Sequence, residues 1–130
     1  MDQQHSKQPL YLQEFPDYDD KLRMIDGFVD ASYHNDAAPC IAKYYDLEKE
    51  DAPTTAVEVY QDYKNPELSE LSGEPNHKRY NVFKNTYSSK DGGDISCVLS
   101  TNSWEKAKKR AIQLTKEIEK KSPSKSAAER

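Results

Sequence analysis

The chain has 130 residues, a net charge of −4 and 35% hydrophobic residues, which gives it the length of one domain and a thin core. Nine tyrosines and one tryptophan add large apolar bodies to that core. No apolar run approaches the roughly 20 residues of a membrane span, and the first residues lack the basic and apolar regions of a signal peptide. We therefore expect a cytoplasmic protein in which Cys40 and Cys97 are free, buried thiols.

Two polar ends flank the part of the chain that carries structural patterns. Residues 1–9 and 122–130 are polar, lack periodicity and are interpreted as disordered tails. Residues 10–121 contain neither an internal repeat nor a linker. This middle part is predicted to form a single α+β domain.

A short helix near the N-terminus is predicted over residues 17–25. Pro16 and the acidic residues that follow it favour a helix start, because carboxylates stabilise the positive end of the helix dipole. Gly27 favours the end of the helix, since glycine is common just beyond a last turn.

The segment DASYHNDAAPC, residues 30–40, concentrates polar and reactive side chains between two predicted strands, 28–34 and 40–47. β-branched and aromatic residues favour both strands, while Asn35 and Asp36 supply turn chemistry. A hairpin whose tip residues bond their own backbone is therefore the first interpretation. A recognition loop at that tip is the second, because loops on a rigid sheet often carry function.

A third strand is predicted over residues 55–63, where Val57 and Val59 fall on one face and acidic side chains on the other. A helix of one or two turns follows within a long loop. Asn65 is placed to cap this helix, a proline occupies its first position, and Gly73 ends it.

Two further strands complete the predicted sheet. The first covers residues 79–87, and the glycine-rich stretch 90–94 forms a hairpin turn because glycine accepts positive φ. In the last strand, alternation places Ile95, Cys97 and Leu99 on one face.

The C-terminal helix has the clearest pattern. Asn102 can cap it, and Glu105 three residues later can complete a capping box. Its apolar residues recur at spacings of three and four: Trp104, Ala107, Ala111, Leu114 and Ile118. The predicted fold is α+β, an antiparallel sheet of about five strands built from hairpins, covered on one face by this amphipathic helix, with a short N-terminal helix.

Neither a catalytic nor a metal site is expected. Ser32 and His34 share a face of a predicted strand about 7 Å apart, at ~3.3 Å per residue, which is too long for a nucleophile–base hydrogen bond. Cys40 begins an apolar strand, where a thiol is inert. His34, Asp36 and His77 could ligate a metal, but no zinc, calcium or phosphate-binding motif accompanies them. We expect no enzyme and no cofactor.

Several tyrosines are expected on the sheet face away from the helix. Tyr44 and Tyr45 are consecutive, and Tyr60 is opposite in phase to the valines of its strand. A tyrosine side chain offers a large contact area and a polar hydroxyl, which favours a protein-binding surface. The same tyrosines could instead complete a thin core or pair across strands. The predicted function is a small non-catalytic protein-binding module of adaptor, immunity or inhibitor type. Its expected contact residues are His34, Asn35, Asp36, Tyr44, Tyr60 and Asp62.

Charge is segregated along the chain, with a net charge of −9 over residues 1–100 and +5 over residues 101–130. The basic residues concentrate in the C-terminal helix at Lys106, Lys108, Lys109 and Arg110. The alternative function is therefore single-stranded nucleic-acid binding, with these residues on phosphates and strand tyrosines stacked on bases. An ordinary solvated helix face would give the same pattern. A homodimer through an uncovered sheet edge is a further option, and no membrane contact is expected.

Overall fold

The structure is a computed structural model, and it describes residues 8–46, 54–71, 73–74, 77–88 and 92–120. The elements, in chain order, are α1 (Leu10–Glu14), β1 (Val29–Asp30), β2 (Cys40–Asp46), β3 (Thr54–Gln61), a 3₁₀ turn (Pro66–Leu68), β4 (Tyr80–Ser88), β5 (Gly92–Thr101) and α2 (Trp104–Lys120). Adjacent strands pair antiparallel in the order β1-β2-β3-β4-β5. The predicted α+β architecture is confirmed. In the described part of the chain, no helix has the length and apolar character needed to cross a membrane.

One face of the sheet packs against α2 and forms the core. Ile41, Val57, Val59 and Val82 on the strands are fully buried there. Helix α2 buries Ala107, Ala111, Leu114 and Ile118 of the predicted apolar stripe, and Trp104, its first residue, packs partly buried against the core. The stripe at spacings of three and four is therefore confirmed as the packing face.

The start of α2 differs from its predicted start. Ser103 caps the helix, because its hydroxyl accepts a hydrogen bond from the Lys106 backbone N–H at 3.2 Å. Asn102 does not cap it, since its side-chain oxygen accepts instead from the Arg79 backbone N–H at 2.9 Å. The predicted cap at Asn102 is thus wrong by one residue.

The prediction of a helix over 17–25 is also wrong. The N-terminal helix is α1, and residues 15–28 form a non-helical segment that packs on the core through Leu22, Ile25 and Phe28. The Gln61 side chain holds this segment like a strand neighbour: Nε2 donates to the Arg23 carbonyl at 2.7 Å and Oε1 accepts from the Arg23 N–H at 2.8 Å. Leu22, Ile25 and Phe28 are three residues apart, as in a helix, but they reach the core from an irregular segment.

The glycine expected to end that helix instead forms a turn. Gly27 has a φ of 88°, and the Phe28 N–H donates to the Ile25 carbonyl at 2.9 Å. A side chain at this φ is disfavoured, so glycine is needed for the turn itself.

The strand predicted over 28–34 is reduced to two residues. Beyond Asp30, one backbone bond remains, from the Ala31 N–H to the Cys40 carbonyl at 2.9 Å. Side-chain bonds then take over, since Ser32 Oγ accepts from the Cys40 N–H and Asp30 accepts from the Ser32 N–H. A backbone hydrogen bond closes the turn that follows, because the Asp36 N–H donates to the Tyr33 carbonyl at 2.9 Å. Local polar side chains compete successfully with strand pairing here.

Strand β5 contains a bulge that breaks its predicted alternation. Val82 pairs with Leu99 while Phe83 pairs with Cys97, so Val98 is an extra residue. Leu99 therefore shares the core face with Val82, whereas Ile95 and Cys97 lie on the other face. The prediction that these three share one face is wrong. Cys97 is also exposed, so of the two free thiols only Cys40 is buried as expected.

The connection after β3 follows its predicted chemistry in part. The Asn65 side chain accepts from the Glu67 N–H at 3.0 Å and caps a single 3₁₀ turn instead of one or two helical turns. Of the glycine-rich turn predicted over 90–94, residues 92–94 instead belong to β5, and residues 90–91 lie outside the described ones. The predicted tails also fall largely or wholly outside the described residues.

Candidate functional site

The sheet face opposite α2, here called the open face, carries a pocket of about 530 Å³. Its floor consists of strand side chains, Glu58 and Tyr60 from β3 and Asn81, Phe83 and Asn85 from β4. Its walls come from residues 36–38 of the β1–β2 loop on one side, and from Leu71 and His77 of the β3–β4 connection on the other. We call this site the acidic pocket. Its volume lies within the range of about 300–1,000 Å³ that is usual for ligand sites.

Two carboxylates in the acidic pocket share one hydroxyl. The Tyr60 hydroxyl lies 3.4 Å from Glu58 Oε1 and also hydrogen-bonds Asp36. Burial raises the pKa of Glu58 above its usual range, and the hydrogen bonds from Asn85 and Tyr60 only partly oppose this. Burial likewise raises the pKa of Asp36. Both carboxyl groups therefore lack the compensation that an ionised form needs.

Asn85 supplies the deepest polar group of the pocket floor. Its side chain is 4% exposed, and its Nδ2 donates to Glu58 Oε1 at 2.7 Å. Its Oδ1 is buried and has no hydrogen-bond partner among the described residues. Such an unpaired buried acceptor is uncommon in folded proteins because it loses its bond to water.

Asp62, at the edge of the pocket, is in contrast fully satisfied. Its carboxylate accepts hydrogen bonds from the Ser69 hydroxyl, from His77 Nε2 at 2.6 Å and from the Tyr63 N–H at 2.8 Å. Its side chain is 3% exposed. Asp62 therefore joins the β3–β4 connection to the sheet and positions His77 in the pocket wall.

The structure brings together three of the six predicted contact residues. Asp36, Tyr60 and Asp62 line the acidic pocket. His34 is exposed outside it and bonds Glu14 of α1 through its backbone N–H at 2.8 Å and its Nδ1 at 2.7 Å. This contact with His34 lowers the pKa of Glu14.

The other two predicted contact residues also lie outside the pocket. The Asn35 amide donates to the Tyr33 hydroxyl at 3.1 Å. Tyr44 is 54% exposed on the open face, opposite Ala56, beyond the pocket rim. Tyr44 and Tyr45 face opposite ways as expected, since Tyr45 packs partly buried against the core.

Three pocket residues on β4 were not singled out from the sequence. Asn81, Phe83 and Asn85 alternate along β4, and this polar–aromatic–polar spacing is a signal that one face of a buried strand is not core. His77 was considered only as a metal ligand, because no pattern in the sequence indicates that the folded β3–β4 connection brings it to Asp62.

The residues considered for catalysis have structural partners. Ser32 Oγ bonds the Cys40 backbone, and the buried Cys40 has a pKa well above its usual range, chiefly through burial. His34 is paired with Glu14. Among the described residues, no group of three or more His, Cys, Asp and Glu side chains is arranged to hold a metal ion.

The basic residues of α2 lie on the other side of the sheet. Lys108 and Lys109 border a shallow outer groove with Ile112 and Lys116. Arg110 donates to Gln113 at 3.1 Å and lies 3.9 Å from Glu117. Lys106 is exposed. A ligand on these residues would not reach Tyr44 or Tyr60 without passing around a sheet edge.

Comparison of the chain with protein-family models, with curated proteins and with solved structures gave no match.

Proposed function

We propose that this protein is a non-catalytic protein-binding module whose open face docks a partner with a positively charged contact surface. The observation that carries the proposal is the acidic pocket, in which Glu58 and Asp36 compete for a single tyrosine hydroxyl. A cation from a partner would supply the missing compensation. Adaptor, immunity and inhibitor proteins all work by such docking, and a cytoplasmic location fits the free thiols.

The shape of the site favours a protein segment over a small molecule or a nucleic acid. The pocket continues into the rest of the open face, where Tyr44 and Ile95 are both more than half exposed. Aromatic and apolar residues around a charged centre are typical of protein interfaces. The carboxylates would repel a phosphate backbone.

Single-stranded nucleic-acid binding is retained as the alternative, because Lys108, Lys109 and Lys116 border one groove of α2. It would have to use the helix without Tyr44 and Tyr60, since these two tyrosines lie on the open face. Self-association would use β5, the long edge strand, whose bulge at Val98 works against regular edge pairing.

Fluorescence anisotropy with two labelled probes tests these functions side by side. The first probe is a peptide rich in arginine and lysine, with an acidic peptide of equal length as its control. The second is single-stranded DNA, measured at about 50 and 200 mM salt. The protein variants are Asp36→Asn with Glu58→Gln in the pocket, and Lys108→Gln with Lys109→Gln on the helix.

We expect the basic peptide to bind the wild type, and the pocket variant to weaken this binding by about tenfold or more. The helix variant should leave peptide binding unchanged. Equal binding of the acidic peptide, or an unchanged affinity in the pocket variant, would show the proposal to be wrong. Salt-sensitive DNA binding that only the helix variant abolishes would establish the alternative instead.

A further inference from the structure

We propose that the acidic pocket takes the side chain of an arginine from the partner protein, with its guanidinium between Glu58 and Asp36. This inference rests on the proposed function and specifies the residue that the partner inserts. It stands on three features of the pocket: unbalanced charge, an unpaired acceptor on the floor, and aromatic rings beside the carboxylates.

The charge in the pocket is unbalanced. Tyr60 has one hydroxyl proton and therefore donates to Glu58 or to Asp36 but not to both at once. No lysine or arginine of the described residues lines the pocket, and its histidine, His77, bonds Asp62. An incoming cation would therefore meet no competing lysine or arginine from the described lining of the pocket.

The pocket floor contains a polar acceptor without a partner among the described residues. Asn85 is more than nine-tenths buried and lines the pocket, its Nδ2 contacts the Glu58 carboxylate, and its Oδ1 accepts no hydrogen bond from the described part of the chain. Two carboxylates and one amide side chain thus line the same pocket. Only a ligand with several donors can satisfy them together.

The aromatic residues distinguish arginine from lysine. The Tyr60 and Phe83 rings lie 5.5 Å apart in an edge-to-face arrangement on the pocket floor. A planar guanidinium stacks on an aromatic ring and presents five N–H donors in fixed directions. A lysine ammonium is a compact, strongly hydrated charge with three donors, which fits dispersed acceptors less well.

The experiment uses isothermal titration calorimetry on the full chain with three capped tripeptides that differ at their central residue. Ac-Gly-Arg-Gly-NH₂ is the test probe. The citrulline version keeps the shape but removes the charge, and the lysine version keeps the charge but removes the planar donor group. The proteins are the wild type, Glu58→Gln, and Glu105→Gln on α2, which removes the same charge away from the pocket.

We expect the arginine peptide to bind the wild type at least about tenfold more tightly than the citrulline or lysine peptide. Glu58→Gln should weaken arginine binding by about tenfold or more, while Glu105→Gln should leave it unchanged. Circular dichroism and urea unfolding of Glu58→Gln verify its fold. Asp36→Asn, in the exposed loop, should show the same loss as a second variant.

Two outcomes would overturn the arginine assignment, and they differ in what they mean for the proposed function. Equal binding of the arginine and lysine peptides, both weakened by Glu58→Gln, would leave a general site for basic partners. Arginine binding that Glu58→Gln and Asp36→Asn leave intact would remove the pocket from both proposals.

Discussion

At the scale of single residues, the carboxylates of the acidic pocket differ in how completely their hydrogen bonds are satisfied. Asp62 accepts three hydrogen bonds and is almost fully buried, which is how a folded protein keeps an interior charge. Glu58 and Asp36 divide one hydroxyl between them and have raised pKa values. The first arrangement stabilises the fold, and the second is what an interaction site requires.

Asp62→Ala tests the structural half of this contrast. The substitution leaves the Ser69 hydroxyl, His77 and the Tyr63 N–H without their acceptor, so we expect the free energy of unfolding to fall by about 2–4 kcal/mol. Urea denaturation measures the change. Asp26→Asn, at an exposed position, is the control and should change stability by less than about 0.5 kcal/mol. A loss as small as that of the control would mean that Asp62 does not anchor the connection.

Glu58→Gln tests the other half through pH. Because the folded pKa is raised, the folded protein holds this proton to a higher pH than the unfolded chain, whose pKa is near 4.5. The stability that protonated Glu58 contributes is therefore fully present below the unfolded pKa. It is lost as the pH rises through the folded pKa. Glutamine cannot ionise and avoids this loss.

The expected result is that the stability of Glu58→Gln relative to the wild type increases between about pH 4 and pH 7, measured by urea denaturation. The groups facing Glu58 are Asp36 on the loop, Tyr60 and Asn85 on the floor, and the Cys40 thiol of β2. A difference that stays constant or falls with pH would contradict the raised pKa.

At the scale of elements, the regular parts of the fold follow from periodicity and the irregular parts do not. Strands β2 to β4 and helix α2 have clear two-residue or three-to-four-residue patterns over at least seven residues. Segment 15–28 has an apolar spacing close to that of a helix, but its partner is the Gln61 side chain, 38 positions away from Arg23. No local pattern encodes such a long-range contact.

The difference between local patterns and long-range contacts also explains which parts of the site could be predicted from the sequence. Asp36 and Tyr60 were placed on one surface because hairpin tips and strand phase are local properties. The meeting of Asp62 with His77 and of Glu58 with Asn85 depends on loop closure and strand register. The bulge in β5 shifts Leu99 into the core by a single residue, which alternation alone does not indicate.

Gln61→Met tests the role of Gln61 in holding segment 15–28. Methionine keeps the length of the side chain but removes both hydrogen bonds to Arg23, so we expect a loss of about 2 kcal/mol in the free energy of unfolding. Hydrogen exchange should show reduced protection of the Arg23 amide while the β3–β4 amides keep theirs. Gln113→Met, at an exposed position of α2, is the matched control.

If Arg23 keeps its protection in Gln61→Met, the packing of Leu22 and Ile25 alone holds the segment. Uniform loss of protection in all strands would instead mean that Gln61 supports the whole sheet rather than one element.

At the scale of the whole molecule, the two sides of the sheet have different roles. One side is closed by α2 and by segment 15–28, which together bury the core. The other side keeps an acidic pocket and exposed side chains, including Tyr44 and Ile95. The basic residues of α2 lie away from this pocket, on the opposite side of the sheet. A basic protein partner is therefore expected on the open face.

The most direct test of this arrangement is amide chemical-shift mapping by NMR of the ¹⁵N-labelled full chain during titration with the arginine- and lysine-rich peptide. The expected result is a set of saturable shifts in residues 36–38, 58–62 and 81–85, with α2 unchanged. Shifts confined to α2, or none at peptide concentrations where anisotropy shows binding, would contradict docking on the open face.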